Sequence, residues 1–390
     1  MSRSGPVYPV ALLFSAGGTY ASLGREAVAG ALAAIAEINA DESLPVRLAP
    51  SIADPRGQHY AHLAEVALGE GARHIVGTIT SSGRKEVIPV VERQGGLLWY
   101  AFPYEGYEAS DSTLYFGACP NQHLLPLFEY VMPRHGNRPF VIGSNYIWGW
   151  EVARIARELA EARGGSLAGE RYLPLGYTSC DHLIAEIRER RPDFILSNLV
   201  GESLHAFVRA FHALAQEEER FAPERCPVVS CNVTEADIEE LGATACGHIT
   251  TSSYFDGLDT PENRAFKARI AERQGHRKAI SSCFASVYSA VSVLGHAIAE
   301  AGTDDPRVVR RVVTSRRFDT PIGALTVDPA TQHAALSCHM AEVGQDGRFR
   351  LFDRSIGPIV ADPYLSSDAA REAFRPMPRA EGAAGLKVVR

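Results

Sequence analysis

Short apolar runs alternate with amphipathic stretches along most of this chain. Residues 10–14 read as a buried strand. Residues 21–40 follow with Val28, Leu32, Ile35 and Ile38 at helical spacing, which predicts a helix. The same rhythm predicts strands at 46–51, 74–79 and 97–102, with helices at 58–69 and 84–94 between them. A second series predicts helices at 122–134, 149–164, 180–191, 203–216 and 235–242, and strands at 139–144, 168–174, 193–199, 227–232 and 247–252. Near-continuous apolar strands separated by amphipathic helices are the pattern of parallel sheets covered on both faces. The final part changes character. Helices are expected at 262–274, 282–301 and 305–316, then β-rich segments at 323–328, 335–343 and 348–352. Asp346-Gly347 between the last two is a hairpin signal.

No Gly/Ser tract separates the two series. The chain passes between them through 115–120, and further passages are expected near 249–255 and 323–329. Several short crossings make a hinge, and a cleft between two lobes can close over a ligand. One large sheet or two independent domains fit the periodicity as well.

Composition narrows the function. The chain has 390 residues, enough for two domains, with 46% hydrophobic and 22% charged residues. A net charge of −7 argues against a nucleic-acid surface, which needs clustered Lys and Arg. No apolar run is expected to reach the ~20 residues of a membrane helix. The opening residues lack a signal-peptide pattern, so a cytoplasmic location is expected, with a periplasmic one if the true start lies upstream. Seven cysteines at irregular spacing argue against a secreted disulfide framework. Cys226, Cys231, Cys246 and His248 sit at the edge of zinc-site spacing and read better as buried groups. No metal or cofactor is expected.

The richest stretch is Leu97-Leu98-Trp99-Tyr100-Ala101-Phe102-Pro103 running into Tyr104-Glu105-Gly106-Tyr107. A strand ends here in aromatics, a proline and a glycine turn. Side chains just past the carboxyl end of a parallel strand face the ligand crevice of an open α/β sheet. Chemistry that breaks bonds has little support. Ser15-Ala16-Gly17-Gly18 lacks the dinucleotide fingerprint, and no Gly-x-Ser-x-Gly elbow is present. The chain is expected not to be an enzyme. The arginines at 307–317 read as a wet helix face or a contact for a partner protein.

Six segments carry a resemblance: Leu12-Leu13-Phe14-Ser15, residues 87–93, residues 103–108, Ala118-Cys119-Pro120-Asn121-Gln122, residues 142–147 and residues 259–266. In order and spacing they resemble the type I periplasmic-binding-protein superfamily. Within it they are most similar to the cytoplasmic amide sensors that regulate amidase operons and to urea and short-chain-amide binding proteins of ABC transporters. The resemblance implies an α/β fold of two Rossmann-like three-layer lobes joined by three crossover segments, with the ligand between them. It places lobe I at 7–120 plus 252–327, lobe II at 121–251 plus 328–365, and a tail at 366–390. A homodimer is a further possibility.

The resemblance also implies a site. Ser81 matches a ligand-holding serine, and it opens a helix whose free N–H groups suit a carbonyl oxygen. Plain helix capping accounts for it too. Tyr100 and Tyr146 match ligand-facing tyrosines of the two lobes, with Tyr104 on the rim and Phe102 on the floor. Tyr100 also reads as a core residue. Asn198, Glu202 and Thr234 lie just past lobe II strands. Glu202 would favour a ligand bearing NH₂ groups, or is an exposed acid at a helix start. Ile79 and Phe102 stand where the amide sensor has tyrosine and threonine, so acetamide itself does not carry over. The expected function is sensing a small amide, urea or related nitrogenous compound, with an RNA-binding antitermination regulator as partner. The alternative is a transporter's substrate-binding protein with an ABC permease as partner.

Overall fold

The computed structural model describes residues 5–55, 59–275, 279–352 and 355–375. The first sheet grows from five parallel strands: β1 (Val7–Leu13), β2 (Arg47–Ala53), β3 (His74–Gly77), β4 (Leu97–Tyr100) and β5 (Thr113–Tyr115), ordered β2-β1-β3-β4-β5. Helices α1 (Ala21–Ala40), α2 (Tyr60–Gly69) and α3 (Ser81–Gln94) connect its first four strands. The helix predicted from residue 58 begins at Tyr60; 56–58 lie outside the described residues. After β5, helix α4 (Pro120–His135) opens the second series: β6 (Pro139–Ser144), α5 (Ile147–Ala162), β7 (Gly169–Leu173), α6 (Asp181–Arg190), β8 (Phe194–Asn198), α7 (Gly201–Glu217), β9 (Val228–Ser230), α8 (Glu235–Leu241) and β10 (Ile249–Ser252). Then come α9 (Pro261–Gln274), α10 (Ser282–Ala301), α11 (Pro306–Ser315), β11 (Phe318–Thr320), β12 (Gly323–Leu325), β13 (Leu336–Val343), β14 (Phe349–Leu351), β15 (Ile356–Ile359) and α12 (Asp368–Ala373).

The second sheet runs β14-β13-β10-β9-β8-β6-β7, with β15 also paired to β13. Strands β6 to β10 are parallel, and β13 adds antiparallel to β10 and carries β14 and β15 antiparallel beside it. The hairpin expected at Asp346-Gly347 joins β13 to β14, with Gly347 at φ +67°. Strands β11, β15 and helix α12 are elements that the apolar pattern did not announce. The alternative of one continuous sheet is overturned: the chain builds two lobes, one around each large sheet.

Helix α10 corrects the expectation that no segment is apolar and long enough to cross a membrane. It has 20 residues of suitable composition, but most of it is buried inside the molecule. It packs on α1 through small residues. A Cβ on Gly30 of α1 would lie 2.4 Å from the carbonyl oxygen of Phe284 in α10, so the two backbones touch there. Burial on this scale makes α10 the core helix of the first lobe.

The chain passes between the lobes at 116–119, 253–260 and 326–335. The Ala118–Gln122 motif ties the first passage to the third and to the end of β15. Gln122 Nε2 donates to the carbonyls of Ala334 and Ile359, both at 2.9 Å, while its Oε1 accepts the Cys119 N–H at 3.1 Å. Asn121 Nδ2 donates to the Val360 carbonyl at 2.9 Å, and its Oδ1 accepts the Asp362 N–H. One short motif thus holds the start of α4 to the third crossing and to the segment that leaves β15.

Candidate functional site

A cavity lies between the lobes at the carboxyl ends of the parallel strands, the location expected for ligands in this sheet type. Lobe I contributes Tyr20 and Leu23 from the start of α1, Ile79 and Ser81 past β3, and Ala101, Phe102 and Pro103 past β4. The first turns of α10 add Ser282, Cys283 and Ser286. Lobe II contributes His123 of α4, Tyr146 and Trp148 past β6, Val200 past β8, and 231–234 past β9. Among the described residues no Asp, Glu, Lys or Arg lines it. About 70 Å³ is open to the centres of water-sized molecules. One buried water needs roughly 10–15 Å³ by this measure, so the space suits a ligand of a handful of heavy atoms.

Of the residues singled out by sequence, Ile79, Ser81, Phe102, Tyr146 and Thr234 meet around this cavity. Ser81 is the first residue of α3 and not its cap. Thr80 caps the helix, its Oγ1 accepting the Gly83 N–H at 3.1 Å. Ser81 Oγ donates to Glu105 Oε2 at 2.5 Å, and Arg84 Nη2 donates to Glu105 Oε1 at 2.8 Å. Arg84 Nε also binds Glu108 Oε1 at 2.6 Å. Its guanidinium lies 4.7 Å from the Tyr100 ring centre and 4.6 Å from that of Tyr104. Lys85 Nζ meets Glu108 Oε2 at 2.9 Å, so two cations offset two carboxylates behind the wall, and none of the four lines the cavity.

The structure corrects the other four placements. Tyr100 is fully buried in β4 and its hydroxyl donates to the Ile79 carbonyl at 3.1 Å, so it braces the wall from behind. Tyr104 is also fully buried and turns its hydroxyl to His333 and to the Glu108 carbonyl. Asn198 ends β8, buried, outside the cavity lining. Glu202 is exposed in the first turn of α7, where the helix dipole favours an acid.

Sequence reading missed Tyr20, His123, Asn232 and Cys283. His123 is buried and its Nε2 lies 3.2 Å from the Tyr104 carbonyl oxygen, so Nε2 carries the proton and Nδ1 is a bare acceptor. Burial pushes its pKa down to about 4, which keeps the ring neutral. Asn232 Nδ2 donates to the Leu199 carbonyl at 3.0 Å, which fixes its Oδ1 as an acceptor. His123 Nδ1, Asn232 Oδ1 and Trp148 Nε1 are all buried without a partner, as is the Tyr20 hydroxyl. Tyr146 lies close enough to Tyr20 to perturb it, but the two hydroxyls do not form a well-aligned hydrogen bond. Burial raises the Tyr20 phenol to about 12 and holds the Cys231 and Cys283 thiols well above their ordinary range, so all three stay protonated.

Contacts across the cleft show the lobes drawn together. A Cβ on Gly201, at φ +57°, would lie 2.5 Å from the Thr19 carbonyl oxygen. Glu235 of α8 accepts the N–H of Asp256 at 2.8 Å and of Ser282 at 3.3 Å, tying lobe II to a crossover and to α10. The Arg154 guanidinium of α5 sits 4.8 Å from the Tyr107 ring centre of lobe I. Among the described residues no group of three or more His, Cys, Asp or Glu is placed to hold a metal.

A family model described as "Periplasmic binding protein domain" matches residues 8–370. Leu/Ile/Val-binding protein homolog 6 of Brucella abortus is 22% identical over 312 residues, 76% of this chain and 77% of that protein. A limonene hydroxylase of Geobacillus stearothermophilus is 31% identical over 131 residues, and the match spans only 24% of that protein. An ABC transporter solute-binding protein of R. palustris, solved with 4-hydroxybenzoate, superposes with TM-score 0.80 at 20% identity, covering 90% of this chain and 98% of that one. A branched-chain amino acid transporter substrate binding protein of Streptococcus pneumoniae, solved with isoleucine, gives TM-score 0.75 at 14% identity, covering 90% and 99%.

Proposed function

This chain belongs to the periplasmic binding protein family, and from that premise we propose that it captures a small, uncharged, polar organic solute by closing two lobes over it. The role this supports best is the substrate-binding protein of an ABC-type uptake system, working outside the cytoplasmic membrane with a permease as partner. The lobe boundaries belong to the same reading, with lobe I at 7–120 plus 252–327 and lobe II at 121–251 plus 328–365. The carrying observation is the cavity wall, built by both lobes and free of charged side chains. A ligand with a net charge would lose its hydration there without a counter-charge in return. Short-chain amides and ureas fit that wall, combining a strong dipole with no net charge. Binding without turnover accords with the Cys231 and Cys283 thiols, which burial holds protonated.

A second reading has one observation of its own. All seven cysteines are unpaired, as a reducing compartment keeps them, which favours a cytoplasmic ligand sensor. Fractionation of cells expressing the full gene separates the two: a periplasmic pool supports uptake and a cytoplasmic one supports sensing. The binding proposal is tested by thermal shift against amides, ureas, amino acids, guanidines and aromatic acids. Stabilisation by uncharged members supports it, and a response confined to amino acids or aromatic acids overturns it.

A further inference from the structure

We infer that the ligand is recognised through its N–H groups by two lobe II acceptors, His123 Nδ1 and Asn232 Oδ1, while Trp148 Nε1 donates to its carbonyl oxygen. The inference rests on the binding role proposed above and names the groups that set its specificity. Unpartnered buried donors and acceptors are rare in folded proteins and mark a place where something else completes the bonding. Here three such atoms belong to lobe II residues lining one cavity, and the Tyr20 hydroxyl of lobe I is a fourth.

Their polarity follows from the bonds their other atoms make. His123 has its only proton on Nε2, directed at the Tyr104 carbonyl, so Nδ1 can only accept. Asn232 has its amide nitrogen on the Leu199 carbonyl, so Oδ1 can only accept. The Trp148 indole nitrogen can only donate. The complementary ligand therefore offers two N–H donors and one acceptor. A primary amide or urea carries that pattern in its smallest form. A carboxylate has no proton to give and would set its negative charge against two lone pairs. A ketone of the same shape fills the space and leaves both acceptors unsatisfied. A site built to bond a group rejects analogues lacking it far more strongly than a merely greasy site does. The Tyr20 hydroxyl, able to give or accept, adjusts to either end of the ligand.

Three near-isosteric probes isolate the effect: propionamide with NH₂, propionate with O⁻ and butanone with CH₃ at the same position. Calorimetric titration of the full chain is expected to show propionamide binding at least tenfold more tightly than either analogue. Trp148→Phe, which keeps a ring and removes the N–H, is expected to weaken propionamide about tenfold, and Asn232→Ala about as much. Propionate or butanone binding within threefold of propionamide overturns the inference, whether or not the variants fold. So does unchanged propionamide affinity in both folded variants. Binding of isoleucine or 4-hydroxybenzoate with no response to propionamide or urea overturns the inference and leaves capture by cleft closure standing. No binding by any of these compounds overturns both.

Discussion

At the scale of single residues, the site is a neutral surface supported by a buried ionic one. Arg84 is fully buried and holds Glu105 and Glu108, and Glu105 in turn fixes the Ser81 hydroxyl. Removing one partner of a buried charge pair leaves the other uncompensated, which typically costs about 3–5 kcal/mol. Arg84→Ala is therefore expected to lower unfolding free energy by that order in a urea titration. A change below about 1 kcal/mol would mean that the network carries no such strain. His123 yields a second expectation. Its pKa near 4 keeps Nδ1 an acceptor throughout the neutral range, so ligand affinity should stay flat between pH 6 and 8. An affinity that falls with a midpoint near 6.5 in a titration series would show a solvated, titrating ring instead. Tyr100 teaches where sequence reading stops. A tyrosine in a buried strand can face the cleft or the core, and only the bond to the Ile79 carbonyl decides for the core.

At the scale of elements, most of the architecture was written in the alternation of apolar and amphipathic segments. Parallel strands buried on both faces give long apolar runs, and these mark β3, β4, β6 and β8 clearly. What stayed hidden was short or weakly apolar. Strand β11 has three residues, β15 reads Ile-Gly-Pro-Ile, and α12 has six residues in the tail. The part of the tail at 376–390 lies outside the described residues. Half of the candidate site was legible because it follows strand ends that end in recognisable motifs. His123 and Cys283 were not legible, since each sits inside a helix that reaches the cavity only through the lobe arrangement. Asn232 was closer to hand: it is the last residue of the predicted strand 227–232 and stands two before Thr234. The junction between the 18–20 turn and α7 gives an element-level test. Gly201→Ala puts a methyl group against the Thr19 carbonyl and strains a positive φ. Each lobe should keep its fold, with far-UV circular dichroism unchanged, while ligand affinity drops by roughly tenfold, about 1.4 kcal/mol of lost closure. Unaltered affinity would place this contact outside the closing motion.

At the scale of the whole molecule, two opposing groups set the dependence of stability on pH. His74, His123, His248 and His333 are buried, and burial pushes each down to about 4. The unfolded chain binds protons at these sites more readily, so their contribution is present above about pH 6.5 and lost as pH falls toward 4. Glu235, pushed up to about 8 by burial, acts in the other sense: its contribution is present below about 4.5 and lost as pH rises through 8. A Glu235→Gln background removes the strongest opposing carboxyl. Urea midpoints there should fall steadily from pH 6.5 to 4, and constant midpoints would show that the imidazoles are not buried neutral. The same two-lobed body underlies capture. A ligand drives closure only as far as it binds the closed state better than the open one. The most direct test is small-angle X-ray scattering of the full chain with and without saturating propionamide. The account predicts a smaller radius of gyration with the amide present and no change with propionate. Identical curves in all three samples, with amide binding confirmed by calorimetry, would contradict closure of two lobes around an uncharged guest.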